Sequence, residues 1–350
     1  MLTRHLAATG VLAASVLLAG CAAAPDAGGE TAGSDYCARM VTNSGGLEDR
    51  SFNQSSWEGL EAASDEFGID VRALVSTNET DLAPNVQQAV ESGCEFVLTV
   101  GWELADPTTE QAAANPDVHF AIVDELVEGE NIKPIVFDTA QATFLAGYLA
   151  AGVTQTGVVA TFGGGNQPPV TLFMDGFVDG VAHYNEVHGT AVRVLGWDKA
   201  AQDGTFTGDF EDINKGKTTT EGLIDQGADV ILPVAGQVGE GAAAAALERN
   251  ALVIWVDNDG YDTLDASFRP VILTSVLKNT QDAVVQIVGD DIDGTFTNEP
   301  FIGTLENEGV GLAPYHDLAD RVSPELQAEI DGVRSEIIAG TIEVTSPSAP

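Results

Sequence analysis

From residue 37 onward, short apolar runs alternate with stretches of helical periodicity, and this alternation restricts the fold more than any other feature of the chain. A first run at Ala38 to Thr42 is followed by others at 69–75, 95–100, 119–123, 134–137, 157–162, 190–196, 229–234, 251–256, 271–277 and 300–305. Between most of them apolar residues recur at helical spacing, as in Phe144, Leu145, Tyr148 and Leu149, or Leu223 and Ile224. Such alternation means parallel sheets with helices on both faces. About ten strands exceed one comfortable sheet. A chain of 350 residues is long enough for two doubly wound α/β lobes with cores of their own. No repeat of fixed period is visible, and nothing after residue 35 reads as a long linker.

In an open α/β sheet, ligands bind beyond the carboxyl ends of the strands. The residues that follow the runs are therefore the candidates for a site. They are Asn43, Trp102, Asp124, Gly236, Asp257 and Lys278. Together they would give one crevice carboxylates or amides, one ammonium, glycine backbone donors and aromatic walls. That lining suits a polar, ring-bearing small molecule. Lys278 is one of only five lysines, and its alternative is a helix-surface ion pair with a nearby acid such as Asp282. The loop after the first run carries Gly45 and Gly46 and leads into a helix with Trp57, Leu60, Ala63 and Phe67 on one face. Ser51 or Asp49 is its candidate N-cap, which sets Phe52 close to a helix N-terminus. On its own, Phe52 reads equally as a staple or a core residue.

The formal charge is -40, from 54 acidic and 14 basic residues. Such a surface repels phosphates and argues against nucleic acid or highly anionic nucleotides as partners. A neutral or cationic small ligand fits it better. At the start of the chain, residues 1–20 read as a signal segment, with Arg4 and His5 before an apolar run, Leu6 to Leu18, too short for an ordinary span. The run ends Leu17-Leu18-Ala19-Gly20-Cys21, which resembles the lipobox of bacterial lipoproteins. That resemblance implies cleavage before Cys21, acylation of its thiol and a protein tethered outside the membrane. A plain secretory signal with an incidental cysteine is the alternative. Residues 21–35, rich in Ala, Gly, Asp and Pro, then form a flexible tether.

Cys37 and Cys94 each stand just before an apolar run. In a sheet of order 2-1-3 the first and third strands are neighbours, so these starts would lie side by side within disulfide reach. Export permits the bond. A structural disulfide away from the ligand is expected, with two separately buried thiols as the alternative.

At greater length the sequence resembles the basic membrane protein family of substrate-binding lipoproteins, some of whose members bind purine nucleosides. The stretches that carry the resemblance include NSGGLEDRSFNQSSWEGL at 43–60, FLAGYLAAGVTQTG at 144–157 and GGGNQPPVTLFMDGFVDGVAHYN at 163–185. GDFEDINKGK at 208–217, QGADVILPVAGQVGEG at 226–241, VDNDGY at 256–261 and TSVLKN at 274–279 complete it. The family implies a type I periplasmic-binding-protein-like fold, two parallel-sheet lobes joined by a hinge, and delivery of ligand to the permease and ATPase of an ABC importer. In this chain the implied lobes are 36–138 and 257–295 for the first, and 139–256 and 296–345 for the second with hinge-flanking segments. A purine would lie between two phenylalanines. The SFNQ motif places one at Phe52, with Asn53 beside it, and GDFEDINKGK places the other at Phe210. Asp124 would meet a base edge, Asp257 and Lys278 the ribose, and the helix opened by Gly236 the sugar. Asn43 stands where many members carry Asp, which leaves the preferred base open.

Catalytic and metal motifs fail on inspection. Ser275-Val276-Leu277-Lys278 spells S-x-x-K, but neither S-D-N nor K-T-G occurs. Asp257-Asn258-Asp259-Gly260 lacks the register of a calcium loop, whose twelfth position would be Phe268. The glycines at 163–165 lack G-K-[ST], and the five histidines show no metal or triad spacing. The expectation is a monomeric binding protein on the outer face of the cell membrane, not an enzyme, with no metal or cofactor. A different heteroaromatic ligand such as riboflavin, and a surface sensor or antigen without a transport role, are the alternatives.

Overall fold

The computed structural model describes residues 36–350. The signal segment, Cys21 and the tether expected from the sequence lie outside the described residues. The chain opens with β1 (Cys37–Thr42), α1 (Phe52–Phe67), β2 (Asp70–Leu74), α2 (Glu79–Glu91), β3 (Phe96–Val100), α3 (Ala105–Ala114), β4 (His119–Val123) and β5 (Ile132–Phe137). Their strands form one parallel sheet in the order β2-β1-β3-β4-β5. β1, β3 and β4 are buried almost throughout, which is why they read as continuous apolar runs and not as alternation. α1 buries Gly59, Leu60 and Ala63 and stops at Gly68, whose φ of 70° and N–H to Ser64 form a left-handed cap.

A second parallel sheet follows. It is built from α4 (Thr139–Val153), β6 (Val158–Gly163), α5 (Pro168–His188), β7 (Arg193–Leu195), a small hairpin of β8 (Trp197–Asp198) and β9 (Asp203–Gly204), α6 (Ile213–Asp225), β10 (Val230–Val234), α7 (Val238–Arg249), β11 (Leu252–Asp257), the single turn α8 (Gly260–Thr263) and β12 (Ile272–Lys278). Its order, β7-β6-β10-β11-β12, repeats the winding of the first sheet. α4 is buried on nearly every side, as a helix wedged between layers must be. Its packing on α5 depends on Gly180, where a Cβ would come within 1.9 Å of the Phe144 carbonyl oxygen.

The chain then returns. α9 (Thr280–Ile292) packs on α1, with Val284 Cβ 2.8 Å from where a Cβ on Gly59 would stand. β13 (Phe301–Gly303) extends the first sheet beside β5, and β14 (Val310–Leu312) closes the second, antiparallel to β12. α10 (Pro324–Ile338) packs on α4, where a Cβ on Gly152 would touch Leu326. The two lobes are thus joined by crossings after β5, after β12 and between β13 and β14. This is the doubly wound, two-lobed α/β architecture expected from the sequence.

Two expected boundaries need correction. Residues 257–278 do not return to the first lobe, because β12 pairs with β11 from Val253↔Ile272 to Asp257↔Leu277. The return begins with α9. Conversely, β13 lies in the first sheet, and not in the second lobe expected for 296–345. An apolar run fits either sheet, and only non-local pairing decides between them. Cys37 and Cys94 are joined in a disulfide with Cα atoms 4.9 Å apart, at the amino ends of β1 and β3. The C-terminal end is tied down: Ser346 Oγ donates to Asp175 at 2.6 Å, and Ser348 Oγ lies 2.8 Å from Thr171 Oγ1. Among the described residues, no helix is long and apolar enough to cross a membrane.

Candidate functional site

The carboxyl ends of the two sheets face a shared cavity of about 210 Å³. Every candidate read from the sequence lines it except Asn53. Strand ends deliver these residues through left-handed backbone: Gly101 has φ 114°, Asp124 65°, Gly236 54° and Asp257 68°. Two aspartates in that region, one on each lobe, are the kind of conformation that persists only where its surroundings hold it. For Asp124 the hold includes its N–H, bonded to the Ile135 carbonyl at 2.9 Å.

On the first lobe, Phe52 is the first residue of α1, and Asp49 fixes the helix start. Its carboxylate accepts from the N–H groups of Ser51 (3.1 Å), Asn53 (2.8 Å) and Gln54 (3.0 Å). Ser51 occupies the cap position without capping. Its hydroxyl donates across the cleft to Asp257, and its carbonyl accepts from Asn258 Nδ2 at 2.9 Å. Gln237 Nε2 likewise reaches the Glu48 carbonyl at 3.3 Å, so the loop before α1 meets the second lobe. Burial pushes the Asp49 carboxyl up in pKa against the pull of its three N–H donors, and the charge of Asp257 adds to the rise. Asn53 corrects the sequence reading: it is 1% exposed and stands behind the wall, donating through Nδ2 to Asn43 Oδ1 at 2.7 Å.

Lys278 spans the lobes. Its side chain is 4% exposed, and its ammonium donates to Asp124 Oδ2 at 2.5 Å and lies 3.7 Å from Asp257 Oδ1. Phe52, Phe137 and Phe173 surround it, with ring centroids 5.1, 5.6 and 5.7 Å from Nζ. It therefore lines the cavity and pairs with Asp124 and Asp257, not with Asp282. Burial would lower its pKa, but the charges of Asp124 and Asp257 outweigh that and hold the ammonium charged. Burial raises the Asp124 carboxyl in spite of the lysine. Two carboxylates around one ammonium leave a net acceptor character, suited to ligand hydroxyl or N–H groups.

On the second lobe, the wall is Phe210. The chain from 205 to 208 runs along the end of β6, with Gly163 N bonded to Thr205 O at 3.0 Å, Thr207 N to Gly163 O at 3.0 Å and Gly208 N to Gly164 O at 2.8 Å. The Phe210 ring then lies on Gly164, where a Cβ would come within 2.3 Å of it. This close approach is what Gly164 provides. Asp209 caps the next turn, accepting from Glu211 N at 3.0 Å and Asp212 N at 2.8 Å. The Phe210 carbonyl accepts from Val238 N at 3.3 Å, so that amide of the α7 start, expected for the sugar, is partly engaged by the protein.

Sequence reasoning missed Glu103, Gln167 and Phe173 as lining residues. Glu103 is masked by its neighbour Trp102, and Phe173 reads as an ordinary apolar position of α5. Gln167 directly precedes Pro168, the first residue of α5, and that position at a helix start was the available signal. Among the described residues, no grouping of His, Cys, Asp and Glu could hold a metal ion.

Comparison with known proteins completes the picture. Residues 38–348 match the family described as ABC transporter substrate-binding protein PnrA-like. The chain is 30% identical to the ABC transporter nucleoside-binding protein BmpA of Lactococcus lactis subsp. cremoris, covering 99% of this chain and 100% of that one. It is equally 30% identical to a CD4+ T-cell-stimulating antigen of Listeria innocua, covering 98% of both. Among solved structures, an ABC transporter solute-binding protein from Aeropyrum pernix K1 superposes with a TM-score of 0.79 at 24% identity, covering 89% of this chain and 94% of that one.

Proposed function

The chain belongs to the family of PnrA-like ABC transporter substrate-binding proteins, and from that premise we propose that it captures a purine nucleoside between its lobes for an ABC importer. The observation that carries this reading is one cavity walled by a phenylalanine from each lobe, Phe52 and Phe210, with Asp124, Lys278 and Asp257 between them. Two aromatic walls suit a flat base by stacking. A carboxylate can accept from both hydroxyls of a vicinal diol, the role we give Asp257, with Lys278 alongside and Asp124 toward the base. Closure by hinge motion at the three crossings would bring Phe210 onto a base seated on Phe52. In this reading the protein works as a monomer outside the cell, held to the membrane through lipid on Cys21, and passes its ligand to permease and ATPase subunits. It performs no chemistry on the ligand.

The test is calorimetric titration of the protein lacking residues 1–21, stripped of carried ligand by partial unfolding and refolding. The panel is adenosine, guanosine, inosine, uridine, adenine, ribose and riboflavin. Tight one-to-one binding of purine ribosides, with ribose and uridine weak, is the expected result. Riboflavin binding alone would keep the crevice and change the ligand. Folded protein that binds none of them would overturn the nucleoside reading.

A further inference from the structure

Glu103 is a cavity carboxylate to which the reading above gives no task. It stands in the 3-10 turn Trp102–Leu104 that follows β3, and it lines the cavity beside Asn43. Its Oε2 is buried without a hydrogen-bond partner. A buried carboxylate oxygen left in that state is unfavourable, and a ligand N–H is what would relieve it.

The neighbouring amide is held in one orientation. Asn43 Oδ1 accepts from Gly45 N at 3.3 Å and from Asn53 Nδ2 at 2.7 Å, and a backbone N–H can only donate. The nitrogen of Asn43 must therefore point the other way, toward Glu103. A Cβ on Gly101 would lie 2.6 Å from Glu103 Oε2 and 3.2 Å from Asn43 Nδ2, so both atoms flank the same glycine. The site thus presents an N–H donor and a carboxylate acceptor side by side. Asn53, through its Nδ2, holds Asn43 in that orientation.

We propose that Asn43 and Glu103 read the base of the ligand, selecting purine nucleosides with a 6-oxo lactam edge, a carbonyl beside an N–H, over 6-amino purines. The inference rests on the nucleoside reading and deepens it. Asn43 Nδ2 donates to the base carbonyl, and Glu103 Oε2 accepts from the ring N1–H. Adenine offers the reverse pattern, an amino donor to the amide and a bare ring nitrogen to the carboxylate, so both contacts become repulsive. Discrimination of this kind is strong because the wrong base leaves buried polar groups unpaired. Burial raises the Glu103 carboxyl in pKa, while the Asn43 side chain and the residue's own backbone N–H pull it back.

The experiment compares inosine, 1-methylinosine and adenosine on the wild-type protein and on Glu103→Gln, by calorimetry. Wild type is expected to bind inosine at least about tenfold more tightly than 1-methylinosine, whose N1 carries no hydrogen, and more tightly than adenosine. Glu103→Gln puts an amino group where the free oxygen was, since Asn43 already presents nitrogen to the other side. It should weaken inosine about 10- to 100-fold and leave adenosine unchanged or improved. Equal wild-type affinity for inosine and 1-methylinosine would overturn the inference while leaving a nucleoside receptor intact. An unchanged inosine-to-adenosine ratio in Glu103→Gln would reduce Glu103 to a structural residue. Absence of binding to all three, with riboflavin bound, would remove the nucleoside reading and this inference together. The 1-methylinosine arm needs no variant, so a folding defect in Glu103→Gln cannot mask the answer.

Discussion

The two aromatic walls of the cavity are the same residue type delivered by opposite means. Phe52 is placed locally: Asp49, three residues before it, caps the helix that Phe52 begins. Phe210 sits at the tip of an excursion that leaves the sheet at β7, turns through the β8/β9 hairpin and runs back along β6 before α6 starts. Its position depends on residues far away in sequence. Asp175 of α5, wholly buried, accepts from Trp197 Nε1 at 2.8 Å, Gln202 Nε2 at 3.0 Å and Ser346 Oγ at 2.6 Å, and so ties hairpin and C-terminal end to one point. A locally fixed wall is rigid wherever its helix folds. A remotely fixed wall can be loosened from several directions.

The sharpest way to break this contrast is Asp175→Ala. It strands the Trp197 N–H in the core and frees Gln202 and Ser346, so stability should fall by about 3 kcal/mol in denaturant unfolding, with a weaker purine riboside affinity in the refolded protein. A midpoint that barely moves would mean the excursion is held by something else. Next come the walls themselves. Phe52→Ala and Phe210→Ala should each weaken riboside binding by about 2 kcal/mol through lost stacking. Gly164→Ala separates them: its methyl would stand 2.3 Å from the Phe210 ring, so it should approach the Phe210→Ala loss without touching the first lobe. Unaltered binding in Gly164→Ala would show that Phe210 has another seat available.

Asp49→Ala tests the local wall. Removing a cap that serves three N–H groups should cost about 1 to 2 kcal/mol of stability, measured by thermal unfolding, with the loss confined to the first lobe in hydrogen exchange. Loss of protection in α6 instead would contradict the local account.

The same distinction explains what could be read from the sequence. Strands of a parallel sheet are buried on both faces, so β1, β3, β4, β10, β11 and β12 stand out as apolar runs, and their polar successors fall at the ligand end by topology. The 2-1-3 winding likewise brings Cys37 to Cys94. Everything that depends on remote pairing was hidden. Periodicity does not say which sheet takes β12 or β13, because their pairing partners are set by non-local contacts. The β8/β9 hairpin has two residues per strand, too few for a pattern. Asp49 and Ser51 are both good caps by composition, and only the geometry shows that Ser51 is spent on Asp257. The glycines at 163–165 could be excluded as a phosphate loop, but the use of Gly164, to let a phenylalanine more than forty residues away lie against the backbone, leaves no local mark.

The smallest expected effect draws the comparison through pH. Each wall has a neighbouring aspartate at the start of its helix or turn, and the two titrate in opposite senses. Burial pushes Asp49 up, so its ionisation opposes folding, and acidification from neutral through its raised pKa relieves the first lobe. Burial also acts against Asp209, but Lys215 and the N–H groups of Asp212 and Glu211 outweigh it and hold that carboxyl below its ordinary value. Its contribution is therefore complete above the unfolded-state pKa of about 4 and is lost as pH falls through the lower folded value. Asp209 is partly exposed and its ion pair is screened, so the contribution is about 0.5 kcal/mol or less. Acid should accordingly loosen the Phe210 arm before it touches the Phe52 helix. The measurement is hydrogen exchange in α6 against α1 between pH 5 and pH 3, corrected for intrinsic rates, in wild type and Asp209→Asn. Wild type should lose protection at the start of α6 over that window, Asp209→Asn should show it already lost at pH 5, and α1 should hold in both. Parallel loss in the two helices would mean that the walls share one cooperative unit, and that the difference in how they are placed does not extend to how they open.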